Sequence, residues 1–197
     1  MSYLWLIISW IIYFTLHSVF ALTSVKKAFY SVGLRSQTYR LIFNICAILL
    51  LVPILLISSA IDSNHLFEPT NAFKFGGLVL ATWGILVVKI AFRSYDTKAF
   101  LGIGNLDAEN KFSKDGLLKS VRHPLYSGSI LILLGYFIFD PKISTLISVS
   151  LMIIYFIIGI QFEESKLIKA FGEEYKDYKR KTPMLIPRFW LKTKKIP

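Results

Sequence analysis

Apolar residues do not alternate with polar ones along this chain. They gather into five runs: about 3–22, 41–61, 73–92, 125–139 and 143–162. A run of about 20 apolar residues makes roughly 30 Å of helix, the thickness of a hydrocarbon core. The runs therefore predict an all-α integral membrane protein of about five transmembrane helices, in one domain covering residues 1–197. Pro53 falls inside the second run, where neighbouring helices in a membrane can satisfy the carbonyl it frees. The fourth run is the shortest and ends at Asp140-Pro141, a turn signal between two antiparallel helices.

Helical spacing continues past the fifth run through Glu163, Glu164, Leu167, Ile168 and Phe171, with Gly172 as a stop or bend. A C-terminal amphipathic helix with Tyr175 and Tyr178 is expected next, ended by Pro183 and lying at headgroup level with Trp190 and lysines as anchors.

Charge orients this array. Of the 23 basic residues, 20 lie in three segments: the loop Thr23 to Arg40, the loop Arg93 to Arg122, and the tail after Glu163. The positive-inside rule then puts the N-terminus outside and the C-terminus in the cytoplasm. The net charge of +11 finds its counter-charge in anionic lipid rather than nucleic acid, because the basic residues flank apolar runs. The first run has no basic n-region and reads as a retained span. The one cysteine, Cys46, rules out an intrachain disulfide and reads as a packing residue. His17, His65 and His123 are scattered, so no metal site is expected. Neither a P-loop nor a GxGxxG opening a βαβ unit is present.

Two polar clusters stand out. In Val121-Arg122-His123-Pro124-Leu125-Tyr126-Ser127-Gly128, proline pushes His123 out of helical geometry and suits the first helical turn. His123 is then near an N-cap, where a cofactor carboxylate or lipid phosphates can bind. The second cluster, Glu163-Glu164, is expected at a helix C-terminus, where carboxylates are disfavoured and need a cation. That cation can be a ligand or simply Arg122, Lys166 or Lys169. His17 is an ionisable residue within a span and thus a functional candidate.

Gly116, the Arg-His-Pro motif with its flanks, a helical hairpin, Glu163-Glu164, Phe171-Gly172-Glu173-Glu174-Tyr175 and Pro183 to Pro187 together resemble the isoprenylcysteine carboxyl methyltransferase and phospholipid methyltransferase superfamily. The resemblance covers roughly 105–190. His17-Ser18, Tyr39-Arg40 and Ser94-Tyr95-Asp96 extend it towards the bacterial thiol S-methyltransferase (NnrU-like) branch.

The resemblance implies S-adenosyl-L-methionine as cofactor, held at Asn110, Lys111, Phe112, Ser113, Leu118, His123, Pro124, Leu125, Tyr126, Glu163 and Glu164. It implies methyl transfer to a small thiol or a lipid-borne carboxylate such as isoprenylcysteine, with Arg122 and His17 as candidate catalytic residues. A phospholipid amine methyltransferase and a non-catalytic membrane protein retaining the fold are the alternatives. The expected partners are the bilayer and a small thiol or lipophilic substrate, with no nucleic acid and no obligate protein partner. Two departures weigh against prenylcysteine. Gly159 stands where the eukaryotic enzymes have a substrate-contacting arginine, and Leu118 stands where the family has an aromatic.

Overall fold

The structure, a computed structural model, describes residues 3–94, 112 and 114–187. Among these residues it is all-α. Six helices form: α1 (Tyr3–Ala21), α2 (Thr23–Ser31), α3 (Ser36–Ala60), α4 (Asn71–Ala91), α5 (Pro124–Phe139) and α6 (Ile143–Lys181). Short 3₁₀ turns lie at Phe92–Ser94 and Gly116–Lys119. Four of the helices, α1, α3, α4 and α6, are long and apolar enough to cross a membrane. The protein is therefore an integral membrane protein. The fourth apolar run forms α5, whose 16 residues make only about 24 Å of helix. Pro53 lies within α3 without ending it.

The loop expected from Thr23 to Arg40 is not all loop, since Thr23–Ser31 is helical. That helix is too short and polar to show beside the long apolar runs.

α5 works as a span because it is packed against α4. Gly77 lies against Gly135, and Gly84 against Gly128, so the two helices run antiparallel. A Cβ at Gly77 would come within 2.6 Å of the Gly135 carbonyl, and one at Gly84 within 2.6 Å of the Gly128 carbonyl. Only hydrogen fits at such distances. In lipid no hydrophobic force draws helices together, so close backbone approach supplies the packing energy. Gly128, the last residue of the Arg-His-Pro cluster, serves close approach to the backbone of α4.

α1 packs between α3 and α6. Leu6, Trp10, Ile54 and Ile61 form its buried core. Trp10 Nε1 donates to Ser148 Oγ at 3.0 Å, and the Ser18 and Tyr155 hydroxyls meet at 3.0 Å, so α1 and α6 run parallel. Elsewhere the long helices show large exposed apolar residues such as Ile48, Phe75, Trp83 and Phe162, which suit acyl chains.

Two ends result. At one, the loop after α3 is tied to the α5–α6 turn by Leu66 N to Pro141 O (2.8 Å), Ile143 N to Asn64 O (3.2 Å) and the pair His65–Asp140 (3.2 Å). At the other lie the C-terminal parts of α1 and α4, the start of α5 and the polar half of α6. The Arg-His-Pro motif and the glutamates share that second end.

Gly172 has φ 55° and ψ −128°, a region closed to other residues, and bends α6 there. The amphipathic segment 173–181 is thus a continuation of α6 beyond a bend. Its aromatic face packs inward. Tyr175 (1% exposed) and Tyr178 (7%) are buried against protein.

Candidate active site

His123 has extended φ (−127°) as the N-cap of α5, and Pro124 is its first helical residue, as the motif dictates. The backbone N–H groups of Arg122 and His123 donate to the carbonyls of Pro183 (2.9 Å) and Met184 (3.1 Å). Ser127 Oγ donates to the Leu185 carbonyl at 2.7 Å. The segment after α6 thus returns along the motif and takes up the backbone amides of Arg122 and His123.

The side chains converge on Glu164, which is 2% exposed. Its Oε1 accepts from Arg122 Nε at 2.7 Å and lies 3.1 Å from His123 Nε2. Its Oε2 is 2.6 Å from Lys179 Nζ. Arg122 also donates through Nη1 to the carbonyls of Lys179 and Thr182. Burial pushes the Glu164 carboxyl up, but hydrogen bonds from Lys179, Arg122 and His123 outweigh it and hold the group below its ordinary range. Glu164 is therefore an ionised, buried and fully paired carboxylate.

The glutamates do not sit at a helix C-terminus, because α6 runs on to Lys181. Their compensation comes from Arg122, one of the expected partners, and from Lys179, which sequence reasoning missed. Lys179 lies beyond the bend at Gly172, so helical spacing from Glu164 gave no warning of it.

Glu163 differs from its neighbour. It is 44% exposed, and its Oε2 lies 3.9 Å from His123 Nδ1. Tyr126 packs edge-on to His123 (5.8 Å between centroids) and to Phe156 (5.4 Å). Its hydroxyl lies 3.6 Å from where a Cβ at Gly159 would be. A Cβ at position 159 would be in ordinary contact with this hydroxyl.

Phe112 stacks on Phe171 (5.2 Å) and meets Tyr175 and Tyr178 edge-on (5.4 and 5.2 Å). Leu118 is buried, and its carbonyl accepts from the Tyr178 hydroxyl at 2.6 Å. Burial pushes that hydroxyl to about 12, keeping it a donor. Tyr175 is likewise shifted up, by burial first and the nearby Glu164 second. Its hydroxyl has no hydrogen-bond partner among the described residues. A buried donor in that condition calls for a partner beyond the described residues. The aromatic set Phe171, Tyr175 and Tyr178 was legible as a helical face, but its partner Phe112, some 60 residues earlier, was not.

The structure thus brings together Phe112, Leu118, Arg122, His123, Pro124, Tyr126, Glu163 and Glu164. Leu125 is on the first turn of α5 beside them. Asn110, Lys111 and Ser113 lie outside the described residues. His17 stands apart. Its ring contacts are with Tyr13 (5.9 Å), Phe43 (4.8 Å) and Tyr155 (6.2 Å), none of which belongs to the cluster.

The family model described as a protein of unknown function (DUF1295) matches residues 8–182. The chain belongs to that family. It is also similar to proteins named methanethiol S-methyltransferase: 39% identical over 79 residues to that of Crocosphaera subtropica, covering 39% of this chain and 29% of that protein. The Pseudomonas deceptionensis protein is 31% identical over 129 residues, covering 58% of this chain and 47% of its own. Methanethiol S-methyltransferase 1 of Bradyrhizobium diazoefficiens is 37% identical over 87 residues, covering 43% and 29%. The matched stretches span less than half the length of these relatives. No solved structure matches the chain. These likenesses agree with the thiol S-methyltransferase branch to which the motifs point.

Proposed function

We propose that this protein is a membrane methyltransferase, one domain that moves a methyl group from S-adenosyl-L-methionine to a small thiol. The observation that carries the reading is the meeting of the Arg-His-Pro turn with Glu163 and Glu164, in a chain similar to proteins named methanethiol S-methyltransferase.

The residues present fit such a cofactor. Glu163 offers a half-exposed carboxylate to a cationic group, Phe112 an aromatic wall, and Tyr175 a buried hydroxyl without a partner among the described residues. When bound, the cofactor supplies an electrophilic methyl group on a positively charged sulfur.

The chain's own residues orient it. Glu164, Arg122 and Lys179 lock α5, α6 and the returning tail into one unit, so Arg122 acts as a positioning residue. His123 is fixed by Glu164 at Nε2 and turns Nδ1 towards Glu163. Tyr126 walls the space over Gly159. Asn110, Lys111, Ser113 and Leu125 complete the binding set, and Leu118 supports Tyr178. Holding two reactants in line contributes several kcal/mol, up to about 7–11 in favourable cases. His17 lies outside the cluster and is given no part in the transfer step.

A small thiol suits the site better than a prenylcysteine carboxylate, because position 159 carries no arginine to hold an anion. The reading includes an N-terminus outside and the cluster at the cytoplasmic face of a bacterial membrane.

The test is methyl transfer by purified protein in lipid nanodiscs, with S-adenosyl-L-methionine labelled in its methyl group. Methanethiol, a prenylcysteine analogue and phosphatidylethanolamine are offered in turn. Labelled dimethyl sulfide from methanethiol is the expected product. Transfer to the prenylcysteine or the lipid amine alone would replace the acceptor class, and no transfer to any would contradict the enzyme.

A further inference from the structure

The end of the molecule opposite the Arg122–His123–Glu164 cluster carries an open cleft of about 380 Å³ between the loop before α4 and the α5–α6 turn. Glu68, Lys74, Tyr136, Phe139, Asp140 and Lys142 are among its walls. Its size falls within the roughly 300–1,000 Å³ of small-molecule sites. Among the described residues, Lys74 and Lys142 are the two basic side chains at this end, and both line the cleft. Leu66 N to Pro141 O (2.8 Å) and Lys74 N to Thr70 O (3.0 Å) fix the backbone on either side of it.

The polar groups of the walls are unequally engaged. Asp140 is paired at both oxygens, with His65 Nε2 and Lys142 Nζ, each at 3.2 Å. Glu68 and Lys74 make no ion pair among the described residues. Lys142 is 37% exposed, so its ammonium keeps donors for a second acceptor. The cleft also stands where headgroups meet acyl chains. Lys74 is in the first turn of α4, and Asp140 follows the last residue of α5. Tyr136 and Phe139, both exposed, form an aromatic wall at these span ends, and tyrosine there marks the membrane interface.

The candidate occupants can be separated by charge. A metal ion needs several converging acidic or histidine donors, and no such group of three occurs among the described residues. A simple anion would meet the two lysines but also two carboxylates, and a simple cation the reverse. A ligand carrying both signs meets each with its opposite. A phospholipid headgroup with an amine does so, and its glycerol and acyl chains suit the aromatic wall. A choline group has no N–H to give a carboxylate, whereas a primary ammonium has three.

We infer that this cleft binds the headgroup of a phosphatidylethanolamine from the leaflet at this end. Lys74 and Lys142 take the phosphodiester, Glu68 takes the primary ammonium, and the glycerol runs over Tyr136 and Phe139. The inference stands on the cleft alone and holds whether or not the cluster at the other end binds S-adenosyl-L-methionine.

The test is native mass spectrometry of the delipidated protein in detergent, titrated with phosphatidylethanolamine, phosphatidylcholine and phosphatidylglycerol of identical acyl chains. One saturable adduct with phosphatidylethanolamine is expected, about fivefold tighter than with the other two, the size of one well-placed exposed ion pair. Glu68→Gln is expected to remove that preference. Lys74→Ala is expected to weaken all three lipids by a similar factor, and Lys27→Ala, at the opposite end, to change nothing. Glu68 and Lys74 are exposed, so unfolding temperatures should stay at the wild-type value, and Lys74→Gln replaces the alanine if they do not. Glycerophosphoethanolamine at equal concentration is expected not to displace the lipid, and displacement would make the ligand a soluble phosphate amine rather than a lipid. Equal retention of the three lipids, or a preference that survives Glu68→Gln and Lys74→Ala, would overturn the inference.

Discussion

The two adjacent glutamates divide the work at the candidate site. Glu164 is buried with Arg122, His123 and Lys179 around it, so removing its charge strands the buried Arg122 guanidinium. Breaking a buried pair in this way costs about 3–5 kcal/mol. Glu164→Ala is therefore expected to lose that much stability in detergent, read as a lower unfolding temperature. Glu163→Ala, at a half-exposed position, is expected to stay within about 0.5 kcal/mol of wild type. Equal effects would mean that the two roles are wrongly divided.

The same carboxylate sets an acid limit. Its folded pKa is depressed below the ordinary 4.5, so its contribution is complete above that value and is lost as pH falls through the folded value. The Glu164 contribution is then constant across pH 5–7, so any pH dependence of stability in that range has another source. Wild type should lose stability more steeply than Glu164→Gln only below about pH 4.5. At this scale the sequence was informative about residue types. It pointed to Arg122, His123 and both glutamates, because a proline-fixed N-cap and paired carboxylates are local signals. It was silent on which glutamate is buried, since Lys179 and the returning carbonyls at residues 183–185 arrive from beyond a bend.

Among the elements, α5 is the one whose crossing depends on a neighbour. Its length alone does not secure a span, and its glycine seam with α4 does. Gly76 and Gly77 are adjacent, yet a Cβ at Gly76 meets nothing within 4 Å while one at Gly77 strikes the Gly135 carbonyl. Gly77→Ala is expected to destabilise by at least 1–3 kcal/mol, roughly the cost of overpacking, and Gly76→Ala to stabilise slightly or do nothing. Size-exclusion profiles of detergent-solubilised variants check the contrast, and a reversed order would refute the seam. The spans themselves were readable because length and apolarity are properties of a window. The pairing of α4 with α5 was not, because a glycine declares no partner. α2 escaped notice for the opposite reason: nine residues give too weak a periodic signal beside 20-residue apolar runs.

For the whole molecule, the chain passes five times between two unlike ends, and the basic residues concentrate at the end holding the cluster. Orientation follows from charge asymmetry, so it is testable without reference to catalysis. In a Cys46→Ala background, Ser24→Cys should resist a membrane-impermeant maleimide in intact cells, and Glu68→Cys should react. The reverse pattern would invert the protein and put the cluster on the wrong side for a cytoplasmic cofactor.

The account as a whole turns on one ligand meeting the Arg-His-Pro turn and Glu163 together. Equilibrium titration of S-adenosyl-L-methionine into purified protein in nanodiscs measures this most directly. Saturable binding by wild type, weakened at least tenfold in Glu163→Gln with its unfolding temperature unchanged, is the predicted result. Absence of binding by folded wild-type protein, or equal binding by the variant, would contradict it.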